Sequence, residues 1–361
     1  MNDPFSDPLG EKSVEGIAFA RAGLLGNPSD VYGGKVIALS VCNFRARVVI
    51  EPAAGFALRP GESDMLAFPS ALEASQAFET AGCEDGMRLL RAALHRFAAY
   101  WSGFGELADD DPSLQFTMRY KTDIPRQVGL AGSSAIIIAA LRALMSWFDV
   151  EIDPATLAEI ALAAEVEDLG ITAGPMDRVI QAYGGVVLMD LKEPRSAASY
   201  RPLSAEILPP LFVAWDPRGG ACSGIAHGDL RGRWERGDPE VHGIMGDFRD
   251  LVDEGVAVLE NDGGGGNGIE GADARRGRGD TTAFRELVSR NFEMRSRIFH
   301  ISERDRQMVA IARRLDAAAK LSGSGGAVIG VPAREADLET LATAYEEAGF
   351  RMIRPKACPT K

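Results

Sequence analysis

The chain has 361 residues, of which 46% are hydrophobic and 7% aromatic, so it can bury a large core and divide into two domains. Its formal net charge of −13 argues against a nucleic-acid-binding or anionic-membrane surface, so any anionic ligand must be held by donors placed close to it. No apolar run approaches the roughly 20 residues that span a bilayer, and the polar, acidic N-terminus is unlike a signal peptide. We expect a soluble, cytoplasmic protein.

The cysteines and histidines show no metal-binding spacing. The four cysteines are scattered, without a C-x-x-C pair, at Cys42, Cys83, Cys222 and Cys358. This spacing argues against a zinc site and against a disulfide framework, and it fits a reducing compartment. The four histidines form no H-E-x-x-H pair. We therefore assign no catalytic role to either residue type.

Strands and helices alternate in the first half of the chain. Residues 15–50 predict strand, glycine-rich turn and strand, and LQFTMRYKTDIP predicts a strand that ends at Pro125. The stretch AIIIAALRALMSWF is apolar on nearly every face and too long for a typical strand, so it indicates a buried helix. Further elements are a helix over 85–104, a helix after the N-cap Asp153, a short helix in PMDRVIQAY and a strand in GVVLMDL.

The second half begins with a strand in LFVAWDP and is then mainly helical. Helices are predicted over 239–260, 281–300, 305–319 and 334–348, with the strands AVIGV and FRMIRP before and after the last of them. Residues 262–280 are rich in glycine and charge. A segment of this composition cannot bury a core, so we predict a disordered surface insertion.

The strongest chemical signal is PRQVGLAGSSAIIIAAL. It predicts a small-residue loop that leads into a buried helix, whose N-terminal N–H groups carry partial positive charge and favour phosphate. The small residues Gly129, Gly132, Ser133 and Ser134 would let a ligand approach the backbone, and a hydroxyl could reach a phosphate-bound Mg²⁺. An ordinary capped helix after a tight turn fits the local sequence equally well.

Three glycine-bearing segments together resemble the motifs of the GHMP kinases. PRQVGLAGSSA resembles the second motif, with Ala131 as one extra residue, and ARAGLLGNPSDVYGG resembles the first. KLSGSGGAVIGV resembles the third, and the order along the chain agrees. The resemblance covers about residues 15–355, apart from the insertion. It includes AEVEDLGITAGPMDRVIQAYGG, in which the family's acidic residue and later aspartate correspond to Glu165 and Asp177.

The resemblance implies an α+β fold with a ribosomal S5 domain 2-like N-terminal domain over 1–205 and a ferredoxin-like C-terminal domain over 206–361. It also implies an active site in the cleft between them, with ATP and Mg²⁺. Asp177 would activate the acceptor hydroxyl and Arg21 would stabilise the transferring phosphoryl group. Without the resemblance, the position of Asp177 is more typical of a helix cap or a solvated acid. Ser134 and Glu165 would hold the Mg²⁺. The residues implied to bind ATP are Gly129, Leu130, Ala131, Gly132, Ser133, Ser134, Ala135, Gly323, Ser324 and Gly325.

Within the family, the phrases GLLGNPSDVYGG, MDRVIQAYGGVVLMD and RGRWERGDPEV most resemble the glucuronokinases. That resemblance implies phosphorylation of D-glucuronate to D-glucuronate 1-phosphate, with Asp30 binding sugar hydroxyls. A substrate carboxylate needs a local cation, for which the candidates are Arg126, Arg233 and Arg295. The alternatives are a kinase for another sugar, such as arabinose or galactose, and a non-catalytic sensor of sugar and ATP on the same fold.

Overall fold

The computed structural model describes residues 10, 12–59, 66–68, 71, 85–108, 111–192, 197–219, 230–263 and 281–360. The chain forms two compact units, each assembled from separate segments. The first unit contains Met1–Ala20, Asn43–Ile124 and Ala131–Tyr183, and the second contains Arg21–Cys42, Pro125–Leu130 and Gly184–Lys361. Because these units do not follow a single cut in the chain, the expected domain boundary at residue 205 stays a prediction.

Strands in the first unit lie in the order β4-β3-β5-β2. They are β2 (Lys35–Pro52), β3 (Phe56–Arg59), β4 (Leu66–Phe68) and β5 (Phe116–Thr122). Strand β5 pairs antiparallel with the second half of β2, from Ala46 opposite Thr122 to Pro52 opposite Phe116. Strand β3 runs parallel to β5 and antiparallel to β4. Two strands, β1 (Val14–Leu25) and β2, contribute residues to both units.

Helices of the first unit form a layer with an apolar interior. They are α1 (Asp85–Tyr100), α2 (Gly132–Phe148), α3 (Pro154–Ala163) and α4 (Met176–Tyr183), with a π-helical turn at Ala164–Asp168. Helix α2 packs against α1, α3 and α4, and most of its residues between Ser134 and Leu144 are buried. This central position explains why its sequence is apolar on nearly every face.

The second unit contains two groups of antiparallel strands. The first half of β2 pairs with β6 (Val186–Asp190), which pairs with β7 (Tyr200–Leu203). The other group is a four-stranded sheet in the order β11-β8-β10-β9. Its strands are β8 (Phe212–Trp215), β9 (Ala318–Leu321), β10 (Ala327–Val331) and β11 (Arg351–Ile353).

Four helices complete the described part of the second unit, beside a short helical stretch at 230–235. They are α5 (Pro239–Gly263), α6 (Thr282–Ile298), α7 (Glu303–Arg314) and α8 (Leu338–Glu347). Helices α6 and α7 pack on β9 and β10. The mixture of sheets and helices confirms the α+β class, and α5 ends inside the predicted insertion, whose residues 264–280 lie outside the described residues.

The helix predicted over 305–319 is wrong in its last five residues. Helix α7 ends at Arg314, and Asp316 has a left-handed φ of 52° before β9 begins at Ala318. Alanine favours helices, so the local sequence suggested continuation. Pairing of β9 with β10 overrides that preference, with Ala318 opposite Val331 and Leu321 opposite Val328.

The cysteine spacing gave no sign of a disulfide, but one pair of cysteines is bonded. Cys42 and Cys358 form a disulfide within the second unit, although they are 316 residues apart in sequence. Backbone hydrogen bonds bring the C-terminal segment beside β2, because the N–H of Cys42 donates to the carbonyl of Lys356 and the N–H of Cys358 donates to that of Ser40. Spacing along the chain could not reveal a pair that depends on this long-range contact.

Within the part of the chain that the structure describes, no helix combines the length and apolarity needed to cross a membrane.

The N-cap of α3 supports a stability prediction. One Asp153 carboxylate oxygen accepts the N–H groups of Ala155 and Thr156, at 3.0 and 3.1 Å. Replacing Asp153 with Ala should lower the free energy of unfolding by about 1 kcal/mol. Asp153→Asn is the matched control, because its amide oxygen can still accept these bonds. Thermal unfolding at pH 7 measures both variants, and an unchanged melting temperature in Asp153→Ala would contradict the prediction.

The same cap should respond to acid. Hydrogen bonds from the Thr156 hydroxyl and backbone lower the pKa of Asp153 from its ordinary value of 3.8. A carboxyl whose pKa falls on folding stabilises the fold above its unfolded pKa and loses this effect as the pH falls through the folded pKa. The melting-temperature difference between wild type and Asp153→Ala should therefore shrink between pH 7 and about pH 2.

Candidate active site

The loop that we predicted to bind phosphate leads into helix α2, which lies in the first unit. Its N-cap is Ala131, which has a left-handed backbone (φ 60°, ψ 46°) and no side-chain capping bond. The first N–H groups of a helix have no partner within the helix, so this end can receive an anion. In the first turn, Gly132 and Ser133 are at least partly exposed to solvent, whereas Ser134 and Ala135 are buried. The extra residue noted in the sequence thus adopts the unusual backbone that begins the helix.

Three buried polar side chains meet behind this helix end. The Ser134 hydroxyl donates to the Glu165 carboxylate, with oxygen separations of 3.1 and 3.3 Å. Glu165, on the π-helical turn, is fully buried and forms an ion pair with Arg178 of α4. Arg178 also donates to the carbonyl of Gly174 at 2.7 Å. The two residues predicted to bind Mg²⁺ are therefore together, and the sequence analysis missed the arginine beside them.

The donor chemistry of this group fits Mg²⁺. Mg²⁺ prefers hard oxygen ligands and is usually bound by one or two carboxylates together with substrate phosphates. Ser134 and Glu165 supply one hydroxyl and one carboxylate. Among the described residues no cluster of three or more His, Cys, Asp or Glu side chains could hold a metal. Phosphate oxygens would supply further ligands to a metal held by this hydroxyl and carboxylate.

Asp177 lies in the first turn of α4, immediately before Arg178. Its side chain is 18% exposed, and a carboxylate oxygen lies 3.7 Å from Arg178 Nη1. A partly exposed carboxylate at a helix N-terminus can accept a proton from a bound ligand and is also stabilised by the helix dipole. The chemical role of Asp177 therefore stays a prediction.

In the second unit, Arg21 joins the turns of the second and third motifs. Its buried guanidinium donates to the carbonyls of Gly129 and Ser322, at 2.5 and 3.3 Å. Its backbone N–H donates to the carbonyl of Leu130 at 3.2 Å. The sequence predicted a functional Arg21, but not that the side chain would bridge two glycine-bearing turns.

The two turns approach so closely that glycine is required. Gly129 has a φ of 68°, and a Cβ added to it would lie 2.7 Å from the carbonyl oxygen of Gly325. A Cβ added to Gly323 would collide with the carbonyl oxygen of Gly129 and with the Arg21 guanidinium. This contact explains the glycines at both positions in packing terms, independently of any ligand.

Arg295, a candidate for binding the substrate carboxylate, also contacts the third motif. Its side chain is buried and donates to the carbonyls of Gly323 and Ser324, at 2.8 and 3.3 Å. Burial lowers its pKa to about 10. On the other side of the turn, the Asp305 carboxylate accepts the N–H of Gly326 at 2.8 Å. The turn, including Ser324, is thus held from two sides, and a substrate role for Arg295 stays a prediction.

Lys320, which the sequence analysis left without a role, is another buried basic residue beside the third motif. It donates to the carbonyl of Gly23, at 2.6 Å, and to the side-chain oxygen of Asn27. Burial, followed by the nearby charges of Arg295 and Arg21, holds its pKa well below the usual value for lysine. The available signal was a lone lysine in the otherwise small and apolar run AAAKLS.

The first-motif acid lies beside an aromatic group. Asp30 is 8% exposed and belongs to a 3₁₀ turn, Ser29–Tyr32. The Tyr32 ring lies 5.0 Å from that of Trp234, which stacks on His242 at 3.8 Å. Burial and the charge of Asp30 raise the pKa of Tyr32 to about 12. Sequence reasoning found the acid but not the aromatic group near it, and the sugar contact of Asp30 stays a prediction.

The other two candidate cations differ in their surroundings. Arg233 is a quarter exposed, pairing with Asp238 at 2.7 Å and with Glu240 at 3.1 Å. Arg126 is exposed on the segment that precedes the second-motif glycines. Neither observation tests a contact with a substrate, so both assignments stay predictions.

Comparisons with known proteins agree with these features. Family models for the N-terminal and C-terminal domains of GHMP kinases match residues 88–185 and 272–350. Glucuronokinase 1 of Arabidopsis thaliana is 34% identical over 376 residues, covering 99% of this chain and 97% of that protein. A D-glycero-alpha-D-manno-heptose 7-phosphate kinase of Campylobacter jejuni is 31% identical, but over 21% of this chain and 23% of its own length.

Solved structures show the same fold at low sequence identity. Galactokinase of Lactococcus lactis matches with a TM-score of 0.74 and 12% identity, covering 97% of this chain and 95% of that one. Mevalonate kinase of Methanococcus jannaschii matches with a TM-score of 0.71 and 15% identity, covering 99% and 100%. The matched domains, the full-length relative and the shared fold lead to one conclusion: the chain belongs to the GHMP kinases, a family of ATP-dependent phosphotransferases.

Proposed function

We propose that this protein transfers the γ-phosphoryl group of ATP to the anomeric hydroxyl of D-glucuronate, giving D-glucuronate 1-phosphate and ADP. The observation that carries this proposal is the similarity to a glucuronokinase over 97% of that protein's length. Sugar and ATP are the proposed partners, and the cytoplasm is the proposed compartment. Phosphorylation of another sugar, or binding without turnover, is an outcome that the experiments below would reveal.

In the proposed reaction, the C1 hydroxyl oxygen attacks the γ-phosphorus while the bond from γ-phosphorus to the β–γ bridging oxygen breaks. ADP leaves with that electron pair, and Asp177 takes the hydroxyl proton. Mg²⁺, held by Ser134 and Glu165, would neutralise phosphate charge. The α2 N-terminus would receive phosphate oxygens, and Arg21 would stabilise charge on the transferring group. Supporting these roles are the Ser134–Glu165 hydrogen bond and the position of Asp177 in the first turn of α4.

Asp177→Asn should fold and bind ATP but lose roughly 10²–10⁴-fold in kcat, because loss of a positioned base has an effect of that size. ADP release in the presence of glucuronate measures turnover, and calorimetric titration measures nucleotide binding. Asp153→Asn makes the same chemical change elsewhere in the first unit and should keep full turnover. An Asp177→Asn variant that retains more than about a tenth of wild-type kcat would remove Asp177 from this mechanism.

Ser134→Ala and Glu165→Gln should each raise the Mg²⁺ concentration required for half-maximal activity. Ser134→Ala removes a proposed oxygen ligand, and Glu165→Gln replaces a charged carboxylate with a neutral amide, so each variant should bind Mg²⁺ more weakly. The control is Glu159→Gln, since Glu159 is exposed on α3 in the same unit. Metal titrations that coincide with the wild-type curve for both site variants would show that the ligands are misassigned.

The enzyme should prefer D-glucuronate to D-glucose by roughly 10²–10⁴-fold in kcat/KM, because a site built around a carboxylate leaves a cation unpaired when the neutral sugar binds. One assay with glucuronate, galacturonate, glucose, galactose and arabinose measures this preference. Equal or better use of a neutral sugar would contradict the glucuronate assignment and leave the kinase assignment intact.

The same assay with Arg126→Ala, Arg233→Ala and Arg295→Ala should identify the cation. The variant lacking the carboxylate contact should lose glucuronate activity selectively. Because Arg295 holds the third-motif turn, its loss should slow all sugars alike unless it also binds substrate. Arg290→Ala is the control, since Arg290 is half-exposed and pairs with Glu254. If all three variants keep the wild-type ratio of glucuronate to glucose activity, none of these arginines binds the carboxylate.

A further inference from the structure

Arg178 is a buried cation that the reaction described above does not use. Its side chain and that of Glu165 are 4% and 0% exposed. The guanidinium pairs with the Glu165 carboxylate through Nη2, donates from Nη1 to the carbonyl of Gly174 at 2.7 Å, and places Nη1 3.7 Å from the Asp177 carboxylate. One side chain therefore reaches the proposed metal ligand, the turn before α4 and the proposed base.

Arg178 holds the Asp177 end of the segment between Glu165 and Asp177. At the Glu165 end, the backbone N–H of Ile171 donates to the carbonyl of Glu165 at 2.8 Å. At the Asp177 end, Arg178 holds the carbonyl of Gly174, and the N–H of Val179 donates to the carbonyl of Pro175 at 3.0 Å. A planar guanidinium can hold a carboxylate and a carbonyl in fixed directions, which a lysine ammonium cannot do equally well.

We propose that Arg178 is a positioning residue, which orients Glu165 toward the metal–nucleotide complex and fixes the turn that presents Asp177. The proposal rests on the metal role of Glu165 in the proposed function. Removing a residue that holds a metal ligand in place typically lowers metal affinity or activity roughly 10–100-fold. Arg178 is such a partner of Glu165, because a fully buried carboxylate needs an oriented charge or donor beside it.

The first unit offers a matched control in Arg142. Its guanidinium donates to the carbonyls of Ile17, Gln181 and Ala182, at 2.6, 2.8 and 2.9 Å. Burial lowers its pKa to about 10. Arg142 is thus a largely buried arginine of the same unit that donates to backbone carbonyls, and its replacement tests what loss of a structural arginine does to the fold.

The experiment measures Mn²⁺ binding to the full chain with the non-hydrolysable nucleotide AMP-PNP, by the electron paramagnetic resonance signal of free Mn²⁺. Arg178→Gln should weaken this binding roughly 10–100-fold. Arg178→Lys should recover part of the loss, because it restores the charge without the fork. Arg142→Lys should lower the melting temperature and leave Mn²⁺ binding within about twofold of wild type. Nucleotide binding in EDTA and thermal melts of every variant confirm that the proteins compared are folded.

A double-mutant cycle separates this inference from the proposed function. If Arg178 acts through Glu165, the variant carrying both Glu165→Gln and Arg178→Gln should bind Mn²⁺ no more weakly than Glu165→Gln alone. If Glu165→Gln weakens binding but Arg178→Gln does not, or if the two effects add fully, the inference about Arg178 is overturned and the metal assignment stands. If Glu165→Gln leaves Mn²⁺ binding unchanged, the metal assignment and this inference are both overturned.

Discussion

Buried cations hold the glycine-bearing turns of the second unit by their backbone carbonyl groups. A glycine turn has no side chains to pair with its own carbonyls, and a buried carbonyl left without a donor costs about 1–3 kcal/mol. Arg21 and Arg295 supply donors to the carbonyls of Gly129, Ser322, Gly323 and Ser324. The buried Lys320 donates to the carbonyl of Gly23 in β1. Truncating Arg295 would remove the side-chain donor to the carbonyls of Gly323 and Ser324. The carbonyls that Arg21 reaches also accept from the Ser322 hydroxyl and from the N–H of Gly23. Side chains that are nearly excluded from solvent therefore help to hold these turns.

The first unit also buries a charged group, the Glu165 carboxylate. Glu165 is fully buried between the Ser134 hydroxyl and the Arg178 guanidinium, so its charge is balanced by protein groups. A metal bound there would share the Glu165 carboxylate with Arg178. Most of the positive charge of the metal would then interact with phosphate oxygens. With Glu165 as the proposed carboxylate ligand, such a metal would bind together with its nucleotide.

Local patterns in the sequence predicted much of this arrangement. The apolar run of α2 identified a central helix, Asp153 identified the start of α3, and three glycine segments in a fixed order identified the family. The sequence also predicted that Ser134 and Glu165 would act together, which agrees with their hydrogen bond, although their metal role is untested. These predictions succeeded because each depends on residues near one another in the chain, or on phrases long enough to be specific.

Long-range contacts could not be predicted in the same way. The Cys42–Cys358 disulfide, the strand at Ala318–Leu321 and the partners of Lys320 and Arg178 depend on groups that the local sequence does not specify. The charge of the whole chain is equally uninformative about the site. A net charge of −13 disfavours anions at long range, but exposed charges are largely screened beyond about 8 Å at physiological ionic strength. Buried arginine and lysine are screened much less, so a few of them can make the local potential positive within an acidic protein.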